Sequence, residues 1–97
     1  MVVMHYPKTD WLKEPGTLAK RFRVPVLILT GERDRYSNNC CGVETMRAME
    51  AVAKEANAPF ELVVYPQANH GFNLQTPGFR RDDAAGAWRR TSEMLRQ

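Results

Sequence analysis

The sequence predicts an α/β chain of parallel strands with flanking helices. Two apolar runs, Val26-Leu27-Ile28-Leu29 and Leu62-Val63-Val64, show no polar alternation, which suits strands buried on both faces of a parallel sheet. Segments with apolar residues at helical spacing lie between and after these runs. Strands separated by helices imply parallel pairing through right-handed crossovers.

The elements follow in order. Val2 to Tyr6 is a short apolar run stopped by Pro7, and predicts a first strand. Pro15-Gly16 opens a turn, and Thr17 to Phe22 is long enough for one or two helical turns. Pro25, tolerated at a strand's first residue, starts the second strand, and Thr30-Gly31 follows it. Gly42 to Ala56 predicts a helix. Met46, Met49, Val52, Ala53 and Ala56 form its apolar stripe, and Glu44, Arg47, Glu50 and Lys54 its polar face. Asn57-Ala58-Pro59 ends it. Glu61 to Tyr65 is a further strand, closed by Pro66. Asp82 or Asp83 is placed to cap a last helix, whose predicted stripe is Ala84, Trp88, Thr91 and Leu95. That stripe makes Trp88 a core residue.

Ninety-seven residues, 43% of them hydrophobic, allow one domain at most and exclude a complete large α/β enzyme. No apolar run approaches the roughly 20 residues of a membrane span. Fourteen Lys and Arg against eleven Asp and Glu leave a net charge of +3, too small an excess to indicate nucleic-acid binding. No Gly-rich phosphate loop is present, so no nucleotide cofactor is expected. Cys40 and Cys41 are neighbours in sequence, and a bond between neighbours is geometrically awkward. The expectation is two reduced thiols in a reducing, cytoplasmic compartment. No histidine stands near them at metal-ligand spacing, so no metal site is expected.

Chemistry in an open parallel sheet gathers at the carboxyl ends of its strands. Gly31-Glu32-Arg33-Asp34 follows one such end, and Pro66-Gln67-Ala68-Asn69-His70-Gly71-Phe72 another. If the two strands are neighbours, Asp34 and His70 emerge side by side. An aspartate that accepts from one ring nitrogen fixes the tautomer and leaves the other nitrogen as a general base. His5 has no comparable partner in the sequence and reads as structural. The strand-to-helix nucleophile motif, Gly-x-Ser-x-Gly or its Cys version, is absent. Ser37, Ser92, Cys40 and Cys41 all lack its flanking glycines. Cys40, near a helix start, is a conceivable nucleophile within the chain, with Cys41 the other suspect.

These residues carry a resemblance. Val24 to Asp34 resembles the Pro-x-Leu-x-Leu-x-Gly-x-x-Asp strand and loop of α/β-hydrolases. Glu61 to Phe72 is similar to the Glu-Leu-x-x-Tyr-Pro-x-Ala-x-His-x-Phe segment of the dienelactone hydrolase family. Asp83-Ala84-Ala85 with the arginines after Trp88 resembles that family's terminal helix. The resemblance implies the C-terminal portion of an α/β-hydrolase fold over residues 1–97, without the nucleophile-bearing part. By the same resemblance Asp34 is the triad acid and His70 the triad base, and a small ester or lactone is the substrate. Family order puts the nucleophile, Cys or Ser, and the oxyanion hole before this stretch. Members that act on dienelactone carboxylates place an arginine shortly after His-x-Phe, where this chain has Asn73 and Leu74.

A competing expectation is a non-catalytic fragment or interaction module that pairs its sheet with another chain. Val2 to Tyr6 would then present an unpaired apolar edge, which templates pairing. Self-association, or pairing with the missing N-terminal part, follows from that edge.

Overall fold

A computed structural model describes residues 2–9, 14, 19–36, 40–74 and 79–96. Three strands and two helices alternate: β1 (Val2–His5), β2 (Val26–Gly31), α1 (Val43–Glu55), β3 (Phe60–Tyr65) and α2 (Arg81–Leu95). The sheet order is β1-β2-β3, and both pairings are parallel. Val2 pairs with Val26, and Val26 with Phe60, so all three strands start at one level. Pro25, predicted to open the second strand, and Pro59, predicted to end the helix before the third, mark that level. The Pro25 carbonyl accepts from Val2 N–H and the Pro59 carbonyl from Val26 N–H, each at 2.8 Å.

Every residue of β2 is buried. Its side chains alternate between two clusters, as the two-residue period of a strand requires. Val26 and Ile28 pack with Cys40, Cys41 and Met46 on one face. Leu27 and Leu29 pack with Ala68, Phe72 and Ala87 on the other. The unbroken run of apolar residues in β2 is therefore what a central strand between two layers demands. β3 was expected to be buried on both faces as well. It is half-buried from Leu62 to Tyr65, because it is an edge strand of this sheet.

Helix α1 buries Val43, Met46, Met49 and Ala53, one stripe at helical spacing. Its C-terminus closes as a Schellman turn. Asn57 adopts the left-handed conformation with φ 54°, Ala58 N–H donates to Ala53 O, and Asn57 N–H donates to Lys54 O. That turn explains why the Asn-Ala-Pro signal ends the helix. The N-terminus of α2 differs from the expected cap. Arg80 takes the cap position without a side-chain cap, and Asp83 instead accepts from Arg80 Nε at 2.9 Å.

The predicted stripe of α2 is also corrected. Ala87 is fully buried and Met94 packs beside it, whereas Trp88 is 71% exposed and Leu95 62% exposed. Ala84, Ala87, Thr91 and Met94 form the inward face, so Trp88 and Leu95 lie one position outside it. A small residue sits where the helix crosses the sheet. Gly86 faces Tyr65, and a Cβ there would stand 3.4 Å from the tyrosine oxygen. The helical turn predicted from Thr17 begins outside the described residues. Ala19 is buried, and Phe22 stacks on Phe60 at 5.8 Å. Among the described residues no helix is long and apolar enough to cross a membrane.

Candidate active site

β2 and β3 are parallel neighbours, so the loops that follow them leave from one edge of the sheet. Their pairing continues past the strands. Glu32 N–H donates to Tyr65 O and Arg33 N–H to Ala68 O, both at 3.0 Å. Gly31 is what lets them approach: any side chain there would run into the Ala68 carbonyl. Gly71, with φ +76°, occupies the left-handed region and turns the chain just after His70. On the outer side, Arg47 of α1 pairs with Glu32 at 2.6 Å and tethers the first loop to the helix.

This scaffold brings Asp34 and His70 together. His70 Nδ1 donates to Asp34 Oδ2 at 3.0 Å. The aspartate is fully buried, and its other oxygen, Oδ1, accepts from Tyr36 N–H at 3.2 Å. Both carboxylate oxygens thus have donors, which a buried carboxylate requires. The His70 side chain keeps 25% exposure. With its proton held on Nδ1, the lone pair is on Nε2.

Aromatic rings fix the imidazole. Tyr36 stacks on it, with centroids 4.5 Å apart and planes within 15°. Tyr6 packs against it at 4.4 Å, tilted by 58°. Tyr6 stands at the carboxyl end of β1 with φ 36°, a conformation that a bulky residue adopts only under constraint. The constraints are visible. Its N–H donates to Leu29 O at 2.7 Å, and its hydroxyl donates to Asn73 Oδ1 at 2.6 Å. Burial, with the nearby Asp34 charge as a smaller cause, raises the Tyr6 pKa above the usual phenol value. Asn73 passes the network on: its Nδ2 donates to His5 Nδ1 at 2.9 Å, so His5 carries its proton on Nε2, facing Thr91 Oγ1 at 3.2 Å. Burial lowers the His5 pKa, which suits a neutral ring with that pattern.

Cys40 and Cys41 depart from expectation. They form a disulfide rather than two free thiols. The local turn holds them together. Cys40 N–H donates to Tyr36 O, and Cys40 O accepts from Thr9 N–H. Both residues are buried against Val26, Ile28 and Met46. The bond removes the basis for the expected reducing compartment. It also exposes a limit of reading ligands by sequence spacing. The two sulfurs and a His70 ring nitrogen all lie within 4.8 Å of one another, because His70 arrives from a different strand.

Three residues at this site escaped the sequence reading: Tyr6, Tyr36 and Asn73. Tyr6 had a usable signal, since it follows a strand at the same sheet edge as Asp34 and His70. Tyr36 and Asn73 sit two and three residues beyond the two ionisable groups, in loops with no periodicity. A groove of about 430 Å³, lined by Glu50, Lys54, Asn57, Ala58, Phe60 and Glu61, opens at the amino edge of β3, away from this pair.

The pattern of residues and elements finds its counterpart among known proteins. The model of the Dienelactone hydrolase family matches residues 1–97. The chain belongs to that family. A protein of Escherichia coli K12, provisionally named carboxymethylenebutenolidase, is 33% identical over 86 residues, which are 88% of this chain and 30% of that protein. A counterpart in Salmonella typhimurium LT2 is 35% identical over 86 residues, again 88% of this chain and 30% of that protein. A crystal structure from Klebsiella pneumoniae, provisionally a dienelactone hydrolase, superposes with a TM-score of 0.72 at 31% identity. The superposition covers 86% of this chain and 33% of that one. The chain therefore spans about a third of the length of these dienelactone hydrolase relatives.

Proposed function

We propose that this chain supplies the acid and base of a carboxylic ester or lactone hydrolase, with Asp34 as the acid and His70 as the base. The observation that carries the reading is the 3.0 Å bond from His70 Nδ1 to a fully buried Asp34 whose second oxygen is also occupied. Such a pair holds Nε2 ready to take the proton of an alcohol or thiol as it attacks an acyl carbonyl. Collapse of the tetrahedral intermediate expels the alkoxide, which takes that proton from His70. Water then repeats the sequence on the acyl-enzyme and releases the acid. Residues 1–97 form the C-terminal portion of the catalytic domain in this reading, and the nucleophile comes from a part of the domain outside them. The spans shared with the relatives, about a third of their length, support that division.

The test is a chimera in which these residues replace the matching segment of the Escherichia coli relative, assayed on an aryl ester and a lactone. The expected result is hydrolysis that Asp34→Asn lowers by about 10⁴-fold, as an imidazole held in the wrong tautomer does in a serine triad. A chimera as active with His70→Ala as without it would sink the assignment. The 97-residue chain by itself is expected to show no rate that depends on His70.

The reading as an interaction module draws on the sheet. β1 is an edge strand, and Val2 at its start is 39% exposed. An apolar edge of this kind pairs with another chain. Sedimentation at micromolar concentration is expected to show self-association, and a monomer would count against it.

A further inference from the structure

Cys40, Cys41 and His70 form a cluster that the hydrolase reading leaves partly unused. Their ligand atoms lie within 4.8 Å of one another, and the two cysteines are buried. A tetrahedral site with zinc–sulfur bonds near 2.3 Å and a zinc–nitrogen bond near 2.0 Å holds its ligand atoms about 3.5–4 Å apart. Once the sulfur–sulfur bond is open and the two sulfurs have moved apart, side-chain rotations suffice to direct these three at one ion. His70 already has the orienting partner that metal-bound histidines use, a carboxylate accepting from the other ring nitrogen. That leaves Nε2 as the coordinating atom.

We infer that the Cys40–Cys41 pair, once reduced, forms with His70 a binding site for a thiophilic divalent cation, and that the disulfide is its closed, metal-free form. The chemistry balances with a phosphine reductant. The phosphorus takes oxygen from water and becomes a phosphine oxide, the sulfur–sulfur bond breaks, and the two hydrogens of the water end on the two sulfurs. A zinc ion then displaces those two protons and accepts a lone pair from His70 Nε2. Two thiolates and one imidazole leave the fourth position of the tetrahedron for water. Asp34, holding Nδ1–H, raises the donor strength of the ring. The inference does not rest on the hydrolase reading, since it needs no nucleophile and no turnover. It adds one consequence for that reading: a metal-bound Nε2 has no lone pair left to accept a proton.

The experiment titrates the full chain with Zn²⁺ by calorimetry and with Co²⁺ by absorption. It is run after reduction with a phosphine and again after reoxidation. The reduced chain is expected to bind one ion and to give the thiolate-to-cobalt charge-transfer band, and the oxidised chain to bind none. His70→Ala should weaken binding, and Asp34→Asn should weaken it by roughly 10- to 100-fold as loss of an outer-shell partner does. Neither variant alters a cysteine, so circular dichroism of each can confirm that the fold persists. A reduced chain that binds no zinc would overturn the inference. So would equal affinity in His70→Ala, which would reduce the site to a bare dithiol, or equal binding by the oxidised chain. An inactive chimera with intact zinc binding would leave this inference standing while the hydrolase reading failed.

Discussion

Gly31 and Ala68 touch through their main chains, and that contact aligns the two loops of the site. The carbonyl of Ala68 occupies the space where a Gly31 side chain would go, and it accepts from Arg33 N–H at 3.0 Å. Gly31→Ala must push backbone against backbone, which no rotamer change relieves. Overpacking of this kind costs about 1–3 kcal/mol. Chemical denaturation is expected to show that loss, and the His70 ring resonances should shift as the Asp34 contact lengthens. An unchanged midpoint would mean that the two loops are not held against each other at Gly31.

Asp34 offers a sharper separation of charge from shape. Asp34→Ala strands the Tyr36 N–H and the His70 Nδ1–H, both donors to the buried carboxylate. Leaving a buried donor unpaired costs about 1–3 kcal/mol. Asp34→Asn should cost less, but it should turn the imidazole chemistry around. The amide oxygen is needed by Tyr36 N–H, so the amide NH₂ faces His70 Nδ1, which must then accept. Nitrogen-15 correlation spectra of the His70 ring are expected to show the proton on Nδ1 in the parent chain and on Nε2 in Asp34→Asn. The same tautomer in both would refute the pairing.

His5 makes folding stability depend on pH. Its pKa is lowered by burial from 6.5, so on acidification the unfolded chain takes up the proton first. Stability therefore falls as pH drops through 6.5 towards the lowered folded value, and levels off below it. The bonding pattern gives the same sign: a protonated Nδ1 would point a hydrogen at the Asn73 amide that now donates to it. The difference in unfolding free energy between the parent chain and His5→Gln should shrink on going from about pH 8 to about pH 5. A difference that stays constant would show that His5 is free to charge in the folded state.

Much of the site was legible because its parts end strands. The apolar runs at 26–29 and 62–64 gave the sheet, the sheet set Asp34 and His70 at one edge, and a turn beyond each strand put them within 3.0 Å. The disulfide and its closeness to His70 were not legible, since both depend on where Cys40 and Cys41 fall in space relative to the loop after β3. Tyr6 was missed for a related reason: its left-handed backbone is imposed by Leu29 and Asn73, from β2 and from the loop after β3. Local propensity carries no trace of such long-range constraints.

The face of α2 was misread for a different reason, and this gives the last prediction. A stripe drawn through Ala84, Trp88, Thr91 and Leu95 fits helical spacing as well as one through Ala84, Ala87, Thr91 and Met94, and size favoured the former. Packing decided otherwise. Ala87 lies against Leu27, Leu29 and Phe72, where the helix crosses the sheet closely and a large ring has no room. Trp88, 71% exposed, is turned outward. Ala87→Leu is therefore expected to destabilise by about 1–3 kcal/mol through overpacking. Trp88→Gln should stay within about 0.5 kcal/mol of the parent chain, as surface substitutions do. Urea denaturation of the two variants side by side checks the order. If Trp88 were the core residue, its removal would cost the roughly 3–5 kcal/mol of a buried aromatic, and Ala87→Leu would be close to neutral.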